Sequence, residues 1–321
     1  MLTAVLRECY LSRQMENPQQ KSDIMRRSPD QETAALYREK ITDEIFKALG
    51  FSSHGAMRRA LGPLFRIPAA RFGGLIARAD EEIRSSGLSG GCRRLLSDMS
   101  LRVTARRTER IPGDGPLLVV SNHPGAYDSI AIMASIPRPD VKVILSDVPF
   151  TRAFEAAKTY FIFAPLNAAG RAKALRASID HLQSGGALLL FPHDDVEPDP
   201  ETSPGAAASI RDWSPSIEII LRRVPETRLL VTMAGGVLMP RYLRNPLIKI
   251  RKSGPKRQKL AGFLQVTGQM AFPRSYRPPI HLSFAEPVAG RDILNGDPMA
   301  AVREAAGRLL EEHLAFFSGS R

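Results

Sequence analysis

His123 and Asp128, five residues apart, have the types and spacing needed for acid–base chemistry. They follow four apolar residues, 117–120, which predict a short buried strand, and the Ser-Asn-His-Pro-Gly sequence that comes next predicts a turn. A helix predicted over residues 127–135 places Asp128 in or beside its first turn, where the helix dipole favours a carboxylate. Such a carboxylate can accept a hydrogen bond from one imidazole nitrogen of His123. The other nitrogen is then free to take a proton from a hydroxyl.

The position of this pair in the chain distinguishes two interpretations. In the structural one, His123 is a turn residue and Asp128 caps a helix, which is common for so short a pattern. The catalytic interpretation rests on the strand before the turn, because ligand sites in open α/β sheets form outside the carboxyl ends of the strands. No serine or cysteine nucleophile is required if the substrate brings the hydroxyl.

Composition limits the class of protein. The 321 residues are 43% hydrophobic and 24% charged, which is ordinary for a globular chain. A formal net charge of +12 points to an anionic partner: nucleic acid, a membrane surface or an acidic substrate. Cys9 and Cys92 suggest neither a disulfide framework nor a metal site, so a reducing cytoplasmic setting is expected. No apolar run approaches the ~18 residues that span a bilayer, so any action on lipids is expected from the membrane surface.

Hydrophobic periodicity predicts two regions after a mobile polar tail of residues 1–27. Residues 28–100 read as helical, with Pro63, Pro68, Gly87 and the pair Gly90-Gly91 as punctuation. Within them, residues 57–83 form a basic amphipathic pattern, which suits either contact with an anionic membrane or a helical cap packed on the main domain. In residues 101–321, strands alternate with helices. The predicted fold class is therefore α/β, with a central mixed, largely parallel sheet flanked by helices.

The sequence Asn-His-Pro-Gly-Ala-Tyr-Asp over residues 122–128 resembles the NHx4D motif of the PlsC-like glycerolipid acyltransferases, which include the lysophosphatidic acid acyltransferases. The resemblance extends over residues 101–284. It implies that His123 is a general base, that Asp128 orients it, and that the acyl donor is acyl-CoA or acyl-carrier protein, with no cofactor. The residues expected to contact substrate are Asn122, Gly125, Arg171, Phe191, Pro192 and His193.

The chain departs from the family pattern after a strand predicted at residues 187–191. The family has Phe-Pro-Glu-Gly-Thr-Arg-Ser there, and only Phe191 and Pro192 match. His193 replaces the glutamate, and five carboxylates follow between residues 194 and 201. Such a loop is expected to repel a phosphate, and it reads as a solvated loop in preference to a metal or substrate site. Residues 161–165, at the place of the family's second block, also lack the arginine that the family ties to acceptor phosphate, and Arg171 and Lys173 are the candidates to substitute for it. No metal ion is expected.

Residues 227–285 contain eleven Lys and Arg residues and no Asp or Glu. This span suits anionic lipid, the phosphates of coenzyme A, the acidic face of an acyl-carrier protein, or nucleic acid. No nucleic-acid-binding motif is present, so nucleic acid is not expected. The predicted function is a membrane-surface O-acyltransferase acting on a lyso-lipid hydroxyl, cytoplasmic and peripheral on the inner face of the membrane. The alternative is a catalytically silent lipid- or membrane-binding protein of the same fold.

Overall fold

Two long helices precede the sheet. The computed structural model describes residues 29–52, 55–165, 167–272, 275 and 277–318, so the predicted tail of residues 1–27 lies outside the described residues. Helix α1 spans Pro29–Leu49 and α2 spans Ala56–Asp98. The expectation that Pro63 and Pro68 punctuate this region is wrong, because α2 continues through both. It packs along α1 over much of its length, and this tertiary contact outweighs the local cost of proline. The helical geometry is interrupted at Gly87, where φ is 67°.

Eight strands within the described residues form one sheet. They are β1 (Arg102–Arg106), β2 (Leu117–Ser121), β3 (Val141–Ser146), β4 (Phe161–Ala164), β5 (Ala187–Leu190), β6 (Arg228–Gly235), β7 (Pro279–Phe284) and β8 (Val288–Ala289). Their order is β1-β7-β6-β2-β5-β3-β4, with β8 paired to β6. Strands β2 to β6 run parallel to one another, β7 is antiparallel to β6, and β1 is parallel to β7. The predicted mixed, largely parallel sheet is confirmed.

Helices fill most of the connections between strands. The longer ones are α3 (Asp128–Ser135), α4 (Ala168–Gln183), α5 (Ser216–Arg223), α6 (Gly254–Ala271) and α7 (Pro298–Ser318). One-turn α-helices cover Pro149–Arg152, Ala206–Ser209, Pro240–Leu243 and Gly290–Ile293, and 3-10 turns cover Thr108–Arg110, Ala157–Tyr160, Ile210–Asp212 and Pro246–Ile250. Sequence reasoning missed α6, because its basic residues obscured the helical pattern.

Strand β6 ends in a tight turn at Gly236. Gly236 adopts a φ of 65°. A Cβ atom at this position would lie 2.3 Å from the carbonyl oxygen of Pro279, so the turn requires glycine. The chain therefore leaves the sheet one residue after β6.

Strand β2 contributes to the hydrophobic core on both faces of the sheet. Its four apolar residues are fully buried. Leu117 and Val119 face a cluster that includes side chains of α1 and α2, whereas Leu118 and Val120 face a second cluster with α4, α5 and α7. The N-terminal helices thus cover one face of the sheet and share its core. Among the described residues, no helix is long and apolar enough to cross a membrane.

Candidate active site

The turn between β2 and α3 brings His123 and Asp128 together. Nδ1 of His123 lies 3.0 Å from Oδ2 of Asp128. The same oxygen accepts the backbone N–H of Gly125 at 2.9 Å, and Oδ1 accepts the backbone N–H of Ser129 at 2.5 Å. Asp128 is fully buried at the first position of α3. Three donors thus fix its carboxylate, and this carboxylate fixes the imidazole.

The imidazole of His123 is held on one side and open on the other. Its side chain is 32% exposed, and its ring centroid lies 4.6 Å from that of Phe191. Because Asp128 is an acceptor, it selects the tautomer with the proton on Nδ1 and leaves the lone pair on Nε2. Nε2 is therefore the atom that can take a proton from a substrate.

The charges around His123 raise its pKa. Burial favours the neutral imidazole, but the charge and hydrogen bond of Asp128 outweigh it, with a smaller contribution from Glu197. The ammonium group of Lys259 acts in the opposite direction. The result is a basic imidazole, suited to accept a proton near neutral pH.

Two of the predicted substrate contacts have structural roles in this turn. Asn122 is buried, and its side-chain amide exchanges two hydrogen bonds of 2.8 Å with the backbone N–H and C=O of Ala234. It joins the end of β2 to the end of β6, so the amide groups face the protein and not the substrate. Gly125 contributes through its backbone N–H, which orients Asp128. The structure thus places both residues in support of the pair.

The other predicted contacts lie at different distances from the imidazole. Phe191 packs on the imidazole ring, and the next residue, Pro192, is buried. His193 turns back on its own loop, with Nδ1 2.8 Å from the carbonyl oxygen of Asp195. Arg171 is exposed in the first turn of α4, after edge strand β4, and two strands separate β4 from β2. At about 4.8 Å per strand, β4 lies roughly 14 Å from β2 across the sheet.

The acidic segment after Phe191 differs from the expected solvated loop. Glu197 and Asp199 are fully buried, and the side chain of Glu201 is 2% exposed. Asp199 accepts hydrogen bonds of 3.0 Å from the backbone N–H groups of Glu201, Gly236 and Leu238. Burial raises the pKa of Asp199 to about 6 despite these donors. The segment is an internal polar framework, because each of these carboxylates has donors to satisfy it.

Glu201 anchors the end of this segment to the far side of the sheet. Its Oε1 lies 2.8 Å from Nδ1 of His281 on β7 and 3.3 Å from Nε2 of His313 on α7. Burial opposes ionisation, but the two histidines hold the pKa of Glu201 at about 2. Nδ1 of His313 in turn contacts Oγ of Ser283 at 2.9 Å. This buried network links the loop, the sheet and the C-terminal helix.

Sequence reasoning missed the residues from other parts of the chain that hold the turn between β2 and α3. Glu197 accepts the backbone N–H of His123 at 2.9 Å, and Gln258 of α6 donates to the carbonyl oxygens of Pro124 and Glu197. One signal was available in the Glu-Pro-Asp-Pro-Glu sequence of residues 197–201. Residues before proline are extended, and in an extended chain alternate side chains point the same way. The pattern therefore predicts that the three carboxylates lie on the same side of the segment, but not that this side faces the protein.

A groove of about 400 Å³ lies between residues 201–203 and the one-turn helix Pro240–Leu243, and His123 is not among its lining residues. In the part of the chain that the structure describes, no group of three or more His, Cys, Asp or Glu side chains is arranged to hold a metal ion.

Fold and site together define an α/β protein with a histidine–aspartate pair at the carboxyl edge of its parallel strands. No protein-family model and no curated protein matches the sequence. The architecture is similar to that in a crystal structure of the 1-acyl-sn-glycerophosphate (LPA) acyltransferase PlsC from Thermotoga maritima, with a TM-score of 0.47 and 17% identity. The similarity covers 76% of this chain and 80% of that one. It concerns the architecture and assigns no residue a role.

Proposed function

We propose that this protein is an O-acyltransferase that moves an acyl chain from an acyl thioester to the hydroxyl of a lyso-lipid at a membrane surface. The observation that carries the proposal is the His123–Asp128 pair, with Nδ1 engaged by a buried carboxylate and the ring partly open to solvent. The resemblance of residues 122–128 to the NHx4D motif selects acyl transfer from the reactions that a histidine base can serve. The donor is acyl-CoA or acyl-carrier protein.

In this mechanism, Nε2 of His123 removes the proton from the acceptor hydroxyl as its oxygen attacks the thioester carbonyl. Asp128 stabilises the imidazolium that forms, as the raised pKa of His123 favours. Collapse of the tetrahedral intermediate breaks the carbon–sulfur bond, and the proton passes from Nε2 to the leaving thiolate. The products are the acyl ester and the free thiol, so the imidazole returns to its starting state.

The acidic loop presents less charge to an acceptor than its composition suggests. Three of its five carboxylates are buried in hydrogen-bonded networks. Asp195 forms an ion pair with Lys259, with Nζ 2.7 Å from Oδ1, and Asp194 is exposed. The predicted loop of five solvated carboxylates is therefore not formed, and phosphate-bearing lyso-lipids belong in the test panel.

Apolar and basic side chains on neighbouring elements support the membrane-surface part of the proposal. Among the described residues, five large apolar side chains are more than half exposed, on α2, on the turn before α6 and directly after α6: Leu64, Ile67, Leu247, Ile250 and Phe272. A guanidinium hydrogen bond from Arg71 of α2 to the carbonyl oxygen of Met270, at 2.7 Å, joins α2 to the end of α6. Such apolar groups flanked by cations suit an anionic bilayer. We propose that the protein lies on the inner, cytoplasmic face of the membrane.

The test is acyl transfer by the native protein and by His123→Ala. Radiolabelled acyl-CoA and acylated carrier protein are supplied with a panel of lyso-phospholipids in anionic vesicles. The variant is expected to lose activity by roughly 100-fold or more. Exposed Asn295→Ala is the control. Transfer undiminished in His123→Ala would refute the mechanism, and vesicle binding without turnover of any acceptor would support the silent lipid-binding alternative.

A further inference from the structure

Glu197 makes two hydrogen bonds with the backbone of His123. Its Oε2 accepts the backbone N–H of His123 at 2.9 Å, and its own backbone N–H donates to the carbonyl oxygen of His123 at 2.9 Å. One residue of the acidic loop therefore engages both polar groups of the histidine backbone. The two segments are 74 residues apart in sequence, so this is a tertiary contact and not a property of the turn itself.

The rest of the Glu197 carboxylate is held in the protein interior. Its Oε1 accepts the indole N–H of Trp213 at 2.8 Å and the hydroxyl of Ser209 at 3.1 Å. Trp213 and Ser209 are both buried. With the His123 N–H, two N–H donors are directed at this carboxylate, and the single hydroxyl hydrogen of Ser209 is shared between it and the carbonyl oxygen of Ala206, 2.8 Å away. Burial raises the pKa of Glu197, and these donors oppose that effect.

The loop that carries Glu197 is itself fixed on both sides. Two residues further on, Asp199 is bound to the backbone at the end of β6. From the other side, the amide of Gln258 bridges the carbonyl oxygens of Glu197 and Pro124. These anchors belong to α6 and to the chain at the end of β6. They fix Glu197 relative to the sheet, and Glu197 in turn fixes the backbone of His123.

We propose that Glu197 is a positioning residue for His123, fixing its peptide so that Nε2 is presented to the acceptor hydroxyl. This proposal rests on the proposed function of His123 as the base. A second, electrostatic effect follows from the same contact, because the charge of Glu197 contributes to the raised pKa of His123. The imidazole is thus held by Asp128 at the ring and by Glu197 at the backbone.

Two variants separate the geometric effect from the electrostatic one. Glu197→Gln keeps the length of the side chain but removes its charge. Glu197→Asp keeps the charge but withdraws the carboxylate from the His123 N–H. Asp194→Asn, which removes a charge from an exposed position of the same loop, is the matched control.

Each variant is measured in two ways. The first is kcat, KM and the pH profile of acyl transfer. The second is NMR of the free protein, with the imidazole titration and amide exchange of His123 assigned through His123→Gln. Both Glu197 variants are expected to lower kcat by roughly 10- to 100-fold with KM within about twofold, and to accelerate amide exchange at His123. The His123 pKa and the acidic limb of the profile move to lower pH in Glu197→Gln, and less in Glu197→Asp.

The outcomes are distinguishable. Unchanged kcat, unchanged titration and unchanged amide exchange in both variants would overturn the positioning role. A lower kcat with an unaltered His123 amide and pH profile would reduce Glu197 to general structural support, which also contradicts the proposal. If native protein transfers no acyl group, the proposed function fails, and the NMR measurements still decide the role of Glu197. If Glu197→Gln does not fold, Glu197→Asp carries both measurements.

Discussion

Oδ2 of Asp128 contacts two groups of the turn between β2 and α3: Nδ1 of His123 at 3.0 Å and the backbone N–H of Gly125 at 2.9 Å. The carboxylate orients the ring and closes the turn that carries it. A neutral amide with its oxygen in the place of Oδ2 can keep both contacts, but its nitrogen then faces the backbone N–H of Ser129 and the side chain supplies no negative charge.

Asp128→Asn is expected to lower kcat by roughly 100-fold or more and to shift the acidic limb of the pH profile. The base form of His123 is the active one, so activity rises as pH rises through the His123 pKa. Burial alone would lower that pKa, and Asp128 raises it, so the variant moves the limb to lower pH. The measurement is kcat/KM from pH 5 to 9, and a limb that stays in place would contradict the assignment.

Asn122→Ala is expected to destabilise the fold by about 2 kcal/mol. It leaves the N–H and C=O of Ala234 buried without their side-chain partners. Urea unfolding monitored by the fluorescence of Trp213 measures the effect. Exposed Asn295→Ala should change the free energy of unfolding by less than about 0.5 kcal/mol. Equal stability of the two variants would show that the Asn122 amide does not join β2 to β6 in solution.

Glu201→Gln is expected to reduce stability by roughly 3 kcal/mol at pH 7 and by progressively less in acid. The pKa of Glu201 is about 2 in the fold, below its ordinary value of 4.5. Its ionised form therefore stabilises the fold above pH 4.5, and this contribution is lost as pH falls towards 2. Thermal unfolding from pH 3 to 7 tests this, with exposed Glu311→Gln as control. A difference between native and variant that does not depend on pH would exclude the ionised carboxylate as its source.

The double variant Leu64→Ser, Ile67→Ser is expected to weaken binding to anionic vesicles by roughly tenfold or more, because both side chains are exposed on α2. Ile219→Ser on α5 is the control, since it removes an exposed apolar side chain from a different element. Co-sedimentation at increasing salt measures both the apolar and the electrostatic contributions. Equal loss in the control would argue against a defined membrane face.

The sequence predicts the turn that brings His123 and Asp128 together, because the signals for it are local. An apolar run, a turn sequence and a carboxylate at a helix start place His123 beside Asp128 without knowledge of distant residues. The role of Glu197 depends on a contact with a residue 74 positions away, which no local pattern encodes. Asn122 illustrates the same limit, because its type fits a substrate contact as well as the backbone bridge that it forms.

The helices differ in the same way: the local sequence predicts some of them, and others depend on tertiary contacts. The Asp297-Pro298 sequence and the apolar positions after it predict a C-terminal helix to about Phe317, and α7 spans Pro298–Ser318. Helix α2 passes through Pro63 and Pro68 because α1 packs beside it, which the local sequence does not reveal. Burial of the acidic segment was also out of reach of composition, because charge alone indicates solvent and only the donors of the folded chain make burial possible.

The burial of β2 on both faces bears on how the protein loses activity. This strand is paired with β5 and β6, and its side chains belong to both hydrophobic clusters. Its amides should be among the slowest to exchange with deuterium, opening only when the whole sheet opens. His123, the proposed base, follows β2 and is therefore attached to the part of the molecule that is expected to unfold last. Inactivation by denaturant should coincide with global unfolding and not precede it.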